Sequence, residues 1–213
     1  MDSKKALEIK LLEKIRQENT ESYNYVIPKI FSRKLIDYNS IRSDLLHVIE
    51  ATGDLLLLTR NNAGTIILRT CMWHSIIITY GKCFTDATKS RRTRLDINSI
   101  LPKEDDSIIG AHSKLMNLRH NYIAHGGYNE YDISVAFLKV PKENDADFKS
   151  SHYRIKSMRS ALPSVIDLEG YRLLFQKVQE IVESKLKKNG ERAHKVYMKL
   201  IKSTPLLPKH TRI

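Results

Sequence analysis

Cysteine is scarce in this sequence: Cys71 and Cys83 are the only two among 213 residues. They stand twelve positions apart on what reads as one helix, about 18 Å at 1.5 Å per residue, too far for a disulfide. Both read as core thiols of a reducing compartment, and a disulfide-stapled scaffold is excluded. Glycine and proline are also few, 8 and 6, where an all-β chain would spend more of both on turns. No Gly-rich phosphate loop occurs, and no Cys/His spacing fits a zinc site. A metal site is therefore not expected, nor any other cofactor. Long apolar runs are missing as well. The most apolar stretch, Thr65 to Phe84, is broken by Arg69, His74 and Lys82, whereas a membrane span needs about 20 mostly apolar residues. The N-terminal stretch reads as a charged amphipathic helix rather than a secretory leader. The expectation is a cytoplasmic protein with no membrane partner.

Acidic residues are the minority charge. Lys and Arg total 36 against 24 Asp and Glu, a formal net charge of +12. Such an excess favours an anionic partner, most simply nucleic acid. The charge is clustered. Lys187, Lys188, Arg192, Lys195, Lys199, Lys202, Lys209 and Arg212 face a single acid, Glu191, in the C-terminal segment. Lys89, Arg91, Arg92 and Arg94 form a second cluster and are the candidate RNA-binding residues.

Hydrophobic periodicity predicts helices. Leu7, Leu11 and Ile15 form a stripe on a first helix over about 4–17. Ile41, Leu45, Val48, Thr52 and Leu55 alternate by four and three, a helical face, on a second over about 35–59. A third, about 65–84, is apolar almost all round and is expected in the middle of a bundle. A fourth starts near Asp106 and stops at Gly126-Gly127. The period then changes to two at Tyr131, Ile133, Val135 and Phe137, a strand, with Tyr153 to Lys156 as its return partner. A fifth helix, about 165–188, buries Leu168, Leu174, Val178, Ile181 and Lys185 and ends at Gly190. A short basic helix follows at about 192–201. The predicted fold is all-α: a bundle of four to five helices with a small β-hairpin inserted at about 130–157. Residues 1–190 form one domain, and 191–213 a basic helix and tail.

The segment that carries chemistry runs Leu115-Met116-Asn117-Leu118-Arg119-His120-Asn121-Tyr122-Ile123-Ala124-His125-Gly126-Gly127. Arg offers a permanently charged planar fork suited to phosphate, and His exchanges protons near neutral pH. Together they suffice for cleavage of an RNA phosphodiester. Asn121 and His125, four apart, share a helix face, so Asn121 is placed to fix the imidazole tautomer. Arg119 and His125 are six apart, about 240° round an ideal helix. Fraying at Gly126, the length of the Arg side chain, or a two-fold dimer that pools two motifs would each bring them together. Ile108, Ala111, Leu115, Leu118 and Tyr122 give this helix one apolar stripe, and Ile109, Met116 and Ile123 a second for a partner subunit. His112, two turns before Arg119, reads as a packed or solvated histidine near the same groove. The bland alternative is a helix end whose Arg and His answer the dipole.

Arg119 to His125, an Arg separated from a His by five residues with a polar His120 after the Arg, resembles the signature of the HEPN (higher eukaryotes and prokaryotes nucleotide-binding) superfamily, in its abortive-infection and toxin-like branch. The resemblance implies a helical bundle, homodimerisation, and a metal-independent endoribonuclease with Arg119 and His125 of both chains in one cleft. Cleavage would follow 2′-OH attack and leave a 2′,3′-cyclic phosphate and a 5′-OH. His125 would be the acid or base, Arg119 the phosphate clamp, and His120, Asn121 and Tyr122 supporting groups. A toxin or anti-phage defence effector is implied, with RNA as substrate and an antitoxin or regulatory protein as candidate partner. The competing readings are a non-catalytic module that binds RNA or nucleotide, and a dimerising scaffold.

Overall fold

The helical face read at Ile41, Leu45, Val48, Thr52 and Leu55 is the centre of the core: all five side chains are fully buried. They sit on α2, Lys29–Arg60, which opens directly behind Pro28. The Pro28 carbonyl accepts from Phe31 N at 2.9 Å and Ser32 N at 3.1 Å, so the helix begins six residues earlier than its apolar stripe suggests. Thr52 is tolerated there because its hydroxyl donates back to the Val48 carbonyl at 2.7 Å, which satisfies a polar group that would otherwise be costly to bury.

The computed structural model describes residues 3–18, 26–85, 93–101, 106–124, 132–139, 152–159 and 162–203. The fold is an all-α bundle with one small hairpin. Its helices are α1 (Ser3–Glu18), α2, α3 (Ile66–Lys82), the single turn α4 (Ile97–Ile100), α5 (Asp106–Asn117) and α6 (Val165–Ser203). A π-helical segment, Leu118–Ala124, continues α5. The strands β1 (Asp132–Lys139) and β2 (His152–Arg159) pair antiparallel, with Val135 opposite Lys156 and Phe137 opposite Arg154.

The chain forms two compact units, one from 1–40 with 182–213, the other from 41–181. The larger holds the main core. Trp73, Ile76, Ile77 and Tyr80 of α3 and Leu168, Tyr171, Leu174, Phe175 and Val178 of α6 are buried in it. Aromatic rings knit it together: Trp73 lies 5.3 Å from Tyr171 and Tyr80 4.8 Å from Phe175 between centroids. Each such side chain removed from water contributes about 1.5–3 kcal/mol. In the smaller unit Lys29 pairs with Glu8 at 3.9 Å, and α6 runs close to Leu35 at Gly190.

The α2–α3 turn follows from its residues. Asn62 and Gly64 adopt positive φ, 47° and 71°, a region that Asn and Gly enter most readily. Thr65 then caps α3 by accepting from Leu68 N at 3.1 Å.

Several expectations need correction. Helix α3 is two-faced rather than central: Ile66, Ile67, Leu68 and Ile78 are exposed. Leu7 and Leu11 of the α1 stripe are exposed too, and so is Cys71, while Cys83 is buried as expected. Helix α6 does not stop at Gly190 but continues unbroken to Ser203. A lone interior glycine weakens a helix by only about 1 kcal/mol relative to alanine, and no proline follows until Pro205. The alternating strand is real, but two residues of its apolar face are uncovered, Val135 56% and Phe137 45% exposed. Among the described residues no helix is long and apolar enough to cross a membrane.

Candidate active site

The motif residues sit where α5 changes its winding. Up to Asn117 the apolar stripe follows the α period, and Ile108, Leu115 and Leu118 are buried. Ile109, Met116 and Ile123 of the second stripe are half-buried. From Leu118 the backbone widens to i→i+5 pairing, a geometry that recurs at functional sites. Arg119, His120 and Asn121 lie in this wider turn, so the angular relation drawn from an ideal α-helix does not apply to them.

Arg119 is half-buried, and its side chain crosses α3 over Gly81. A Cβ on Gly81 would overlap the Arg119 Cδ and stand 2.7 Å from Nε. Only with glycine at that position can the arginine keep this course; a larger residue would displace it. Thr85 completes the seat. Its hydroxyl donates to the Gly81 carbonyl at 3.2 Å and accepts from Arg119 Nη2 at 3.5 Å. The guanidinium is thus held at one edge, and it carries further donors that suit an anion.

The other predicted residues fare differently. His120 and Asn121 are exposed. Asn121 does not reach forward along the helix; its Nδ2 donates to Asn117 Oδ1 at 2.6 Å. Its expected partner, His125, lies outside the described residues. Arg94 is exposed and stands beside the site. His125, the Tyr122 side chain, Lys89, Arg91 and Arg92 lie outside the described residues.

Sequence reasoning missed a cluster around His112. This side chain is buried, and its Nδ1 is 2.9 Å from the Tyr80 hydroxyl. Its ring meets Phe84 edge-on at 4.6 Å. Burial lowers the His112 pKa to about 4, so the imidazole is neutral at pH 7. Burial, and secondarily Cys83, raises the Tyr80 pKa well above its ordinary value, so the hydroxyl stays protonated. An open cleft of about 280 Å³ adjoins these rings, lined by Phe84, Arg94, Leu95, Asp96, Ile97, His112 and Met116. Its far wall is pinned by Leu95 N donating to the Cys83 carbonyl at 2.9 Å. The only available signal in the sequence was the seven-residue spacing of His112 from Arg119.

Phe84 is the chain neighbour of Thr85, and Met116 lies three residues before Arg119, so the cleft and the seat of Arg119 are built from the same two chain segments. Among the described residues no group of His, Cys, Asp or Glu is arranged to hold a metal ion. No family model, curated protein or solved structure matches this chain.

Proposed function

We propose that the protein is an endoribonuclease of the HEPN type, which cleaves RNA by attack of the 2′-OH on the neighbouring phosphate. Arg119 offsets charge on the phosphorane, and His125 exchanges the proton with the attacking or leaving oxygen. The observation that carries this reading is the seat of Arg119. A half-buried guanidinium, laid across a glycine and tethered by one threonine, is preorganised for an anion before the anion arrives. One such donor contributes about 2.7–4 kcal/mol to a transition state.

The site works as a pair of chains in this reading. The half-buried Ile109 and Ile123 supply the homodimer contact, and two copies of Arg119 and His125 face one cleft. The net charge of +12 draws RNA to it. In this reading the enzyme acts on cytoplasmic RNA, in a growth-arresting or anti-phage role held in check by a partner protein.

The test is cleavage of single-stranded RNA in EDTA. Activity that persists with chelator, spares DNA, and disappears in Arg119→Ala and His125→Ala supports the proposal. Cleavage unchanged in both variants rejects the site. Growth arrest on expression of the wild type, absent with Arg119→Ala, tests the toxin role.

A further inference from the structure

We infer that the cleft bordering Arg119 is a subsite for one unstacked nucleobase of single-stranded RNA, seated against Phe84 and Met116 with the strand's backbone passing Arg94. This rests on the ribonuclease reading and gives it a substrate class: RNA whose base next to the held phosphate is free to leave its stack.

Position comes first. Thr85, which touches Arg119, follows directly on Phe84, and Met116 stands one helical turn before Arg119. In this proposal the nucleotide next to the held phosphate reaches the cleft, which shares these two chain segments with the arginine's seat. The lining has the chemistry of a base site. Phe84 is half-buried and lines the cleft while its ring also meets Tyr80 and His112; Leu95, Ile97 and Met116 are apolar, and Arg94 is a cation. Single-stranded nucleic-acid sites combine these elements, an aromatic platform for the base and positive charge along the backbone. The one acid at the cleft, Asp96, is turned to capping: it accepts from Asn98 N at 3.2 Å. Size selects the occupant further. At about 280 Å³ the cleft falls below the ~300–1,000 Å³ of pockets that enclose whole ligands, and suits a single base with its sugar outside.

The site is also formed in advance. Leu95 N on the Cys83 carbonyl fixes one wall. Tyr80 fixes the His112 ring through Nδ1, which leaves Nε2 as the ring's remaining polar atom for a base edge. A neutral histidine makes such a bond without repelling the neighbouring arginines.

The experiment uses a fluorescein-labelled hexaribonucleotide, 2′-O-methylated so that it cannot be cut, and a set of the same oligomers with an abasic residue at each position in turn. Anisotropy titrations against the wild type are expected to show one position where base removal weakens binding by about 5- to 150-fold, the equivalent of ~1–3 kcal/mol for one stacked base. Phe84→Leu is expected to bind the intact oligomer with a similar loss and to show no further loss at that position. Met116→Trp fills the cleft from a half-buried site and is expected to do the same; it carries the test if Phe84→Leu melts at assay temperature. Abasic oligomers that bind the wild type as tightly as the intact one would overturn the subsite, as would either folded variant that keeps the positional effect. Failure of the nuclease is read separately. Base-dependent binding without EDTA-resistant cleavage overturns the enzyme and leaves the subsite, whereas cleavage without any abasic effect overturns the subsite alone.

Discussion

Arg119 occupies the space in which Gly81 would carry a Cβ. Two helices far apart in sequence are thereby joined through one missing methyl group. The Gly81→Ala variant tests the consequence. An alanine favours the helix by about 1 kcal/mol over glycine, and the atoms it meets are the distal end of a flexible side chain. The expected result is a protein that melts no earlier than the wild type yet cleaves RNA at least tenfold more slowly. Thermal melts alongside initial cleavage rates check this. A variant that keeps full activity would show that the seat of Arg119 is irrelevant to turnover.

The identity of the cation matters as well as its charge. Lysine lacks the planar fork and holds phosphate as a point charge. Arg119→Lys is therefore expected to lose most of the effect of the arginine, with kcat reduced by about 10²-fold or more and oligonucleotide affinity reduced much less. Thr85→Val removes the 3.5 Å tether. This contact is long, so a loss of only a few-fold in kcat is expected. His125→Ala is expected to lower cleavage by ~10²–10⁴-fold, the typical contribution of a general acid or base, while the binding isotherm stays close to wild type.

The order of helices and the α2 face were legible because burial on one side imposes a period of 3.6 on the sequence. Ile41 through Leu55 obey it without exception. The hairpin was legible for the same reason, a period of two at Ile133, Val135 and Phe137. What periodicity cannot convey is whether a patterned face is covered, and Val135 and Phe137 are not. Helix α3 misled in the same way: Ile66, Ile67 and Ile78 are as apolar as Ile76 and Ile77 but face outward. The π segment was hidden because a wider turn leaves no compositional mark over seven residues. Gly81 was hidden because a glycine inside a helix announces nothing; its meaning lies in Arg119, 38 residues away. Arg119 was found from chemistry and His112 from its spacing to it, whereas the Thr85 contact and the Tyr80 bond to His112 required coordinates.

His112 gives the protein an acid-sensitive core. Its folded pKa of about 4 lies below the ~6.5 of an unfolded histidine. As pH falls, the unfolded chain takes up its proton first, so stability from this residue is complete above about 6.5 and is lost progressively toward 4. The full loss is at most on the order of 3 kcal/mol, and solvent in the adjoining cleft screens it below that. His112→Gln keeps a partner for Tyr80 but cannot titrate in this range. Urea denaturation at steps between pH 7 and 4 is expected to show the wild type losing stability faster than His112→Gln. Parallel curves would mean that His112 is as free to ionise when folded as when unfolded. Tyr80→Phe separates the hydrogen bond from the ionisation. It leaves buried Nδ1 without its partner and is expected to destabilise by about 1–3 kcal/mol at pH 7.

The start of α6 is held by a reciprocal cap. Ser164 Oγ accepts from Asp167 N at 3.2 Å, and the Asp167 carboxylate accepts from Ser164 N at 3.1 Å and from its hydroxyl at 2.7 Å. The Ser164 hydroxyl is the largest cause that lowers the Asp167 pKa, with Lys114, 3.6 Å from the carboxylate, assisting. A carboxylate with a lowered folded pKa contributes stability above its unfolded value of about 3.9, and the contribution disappears as pH falls through the folded value. Ser164→Ala is expected to cost about 1 kcal/mol at pH 7 and to move the Asp167 titration upward, read by carboxyl-carbon NMR shifts. Because α6 supplies Leu168, Tyr171 and Phe175 to the core beside Trp73 and Tyr80, the loss is expected in the main unfolding transition rather than as local fraying. An unchanged melting temperature with a shifted Asp167 titration would mean that the first turn of α6 opens independently of the core it feeds.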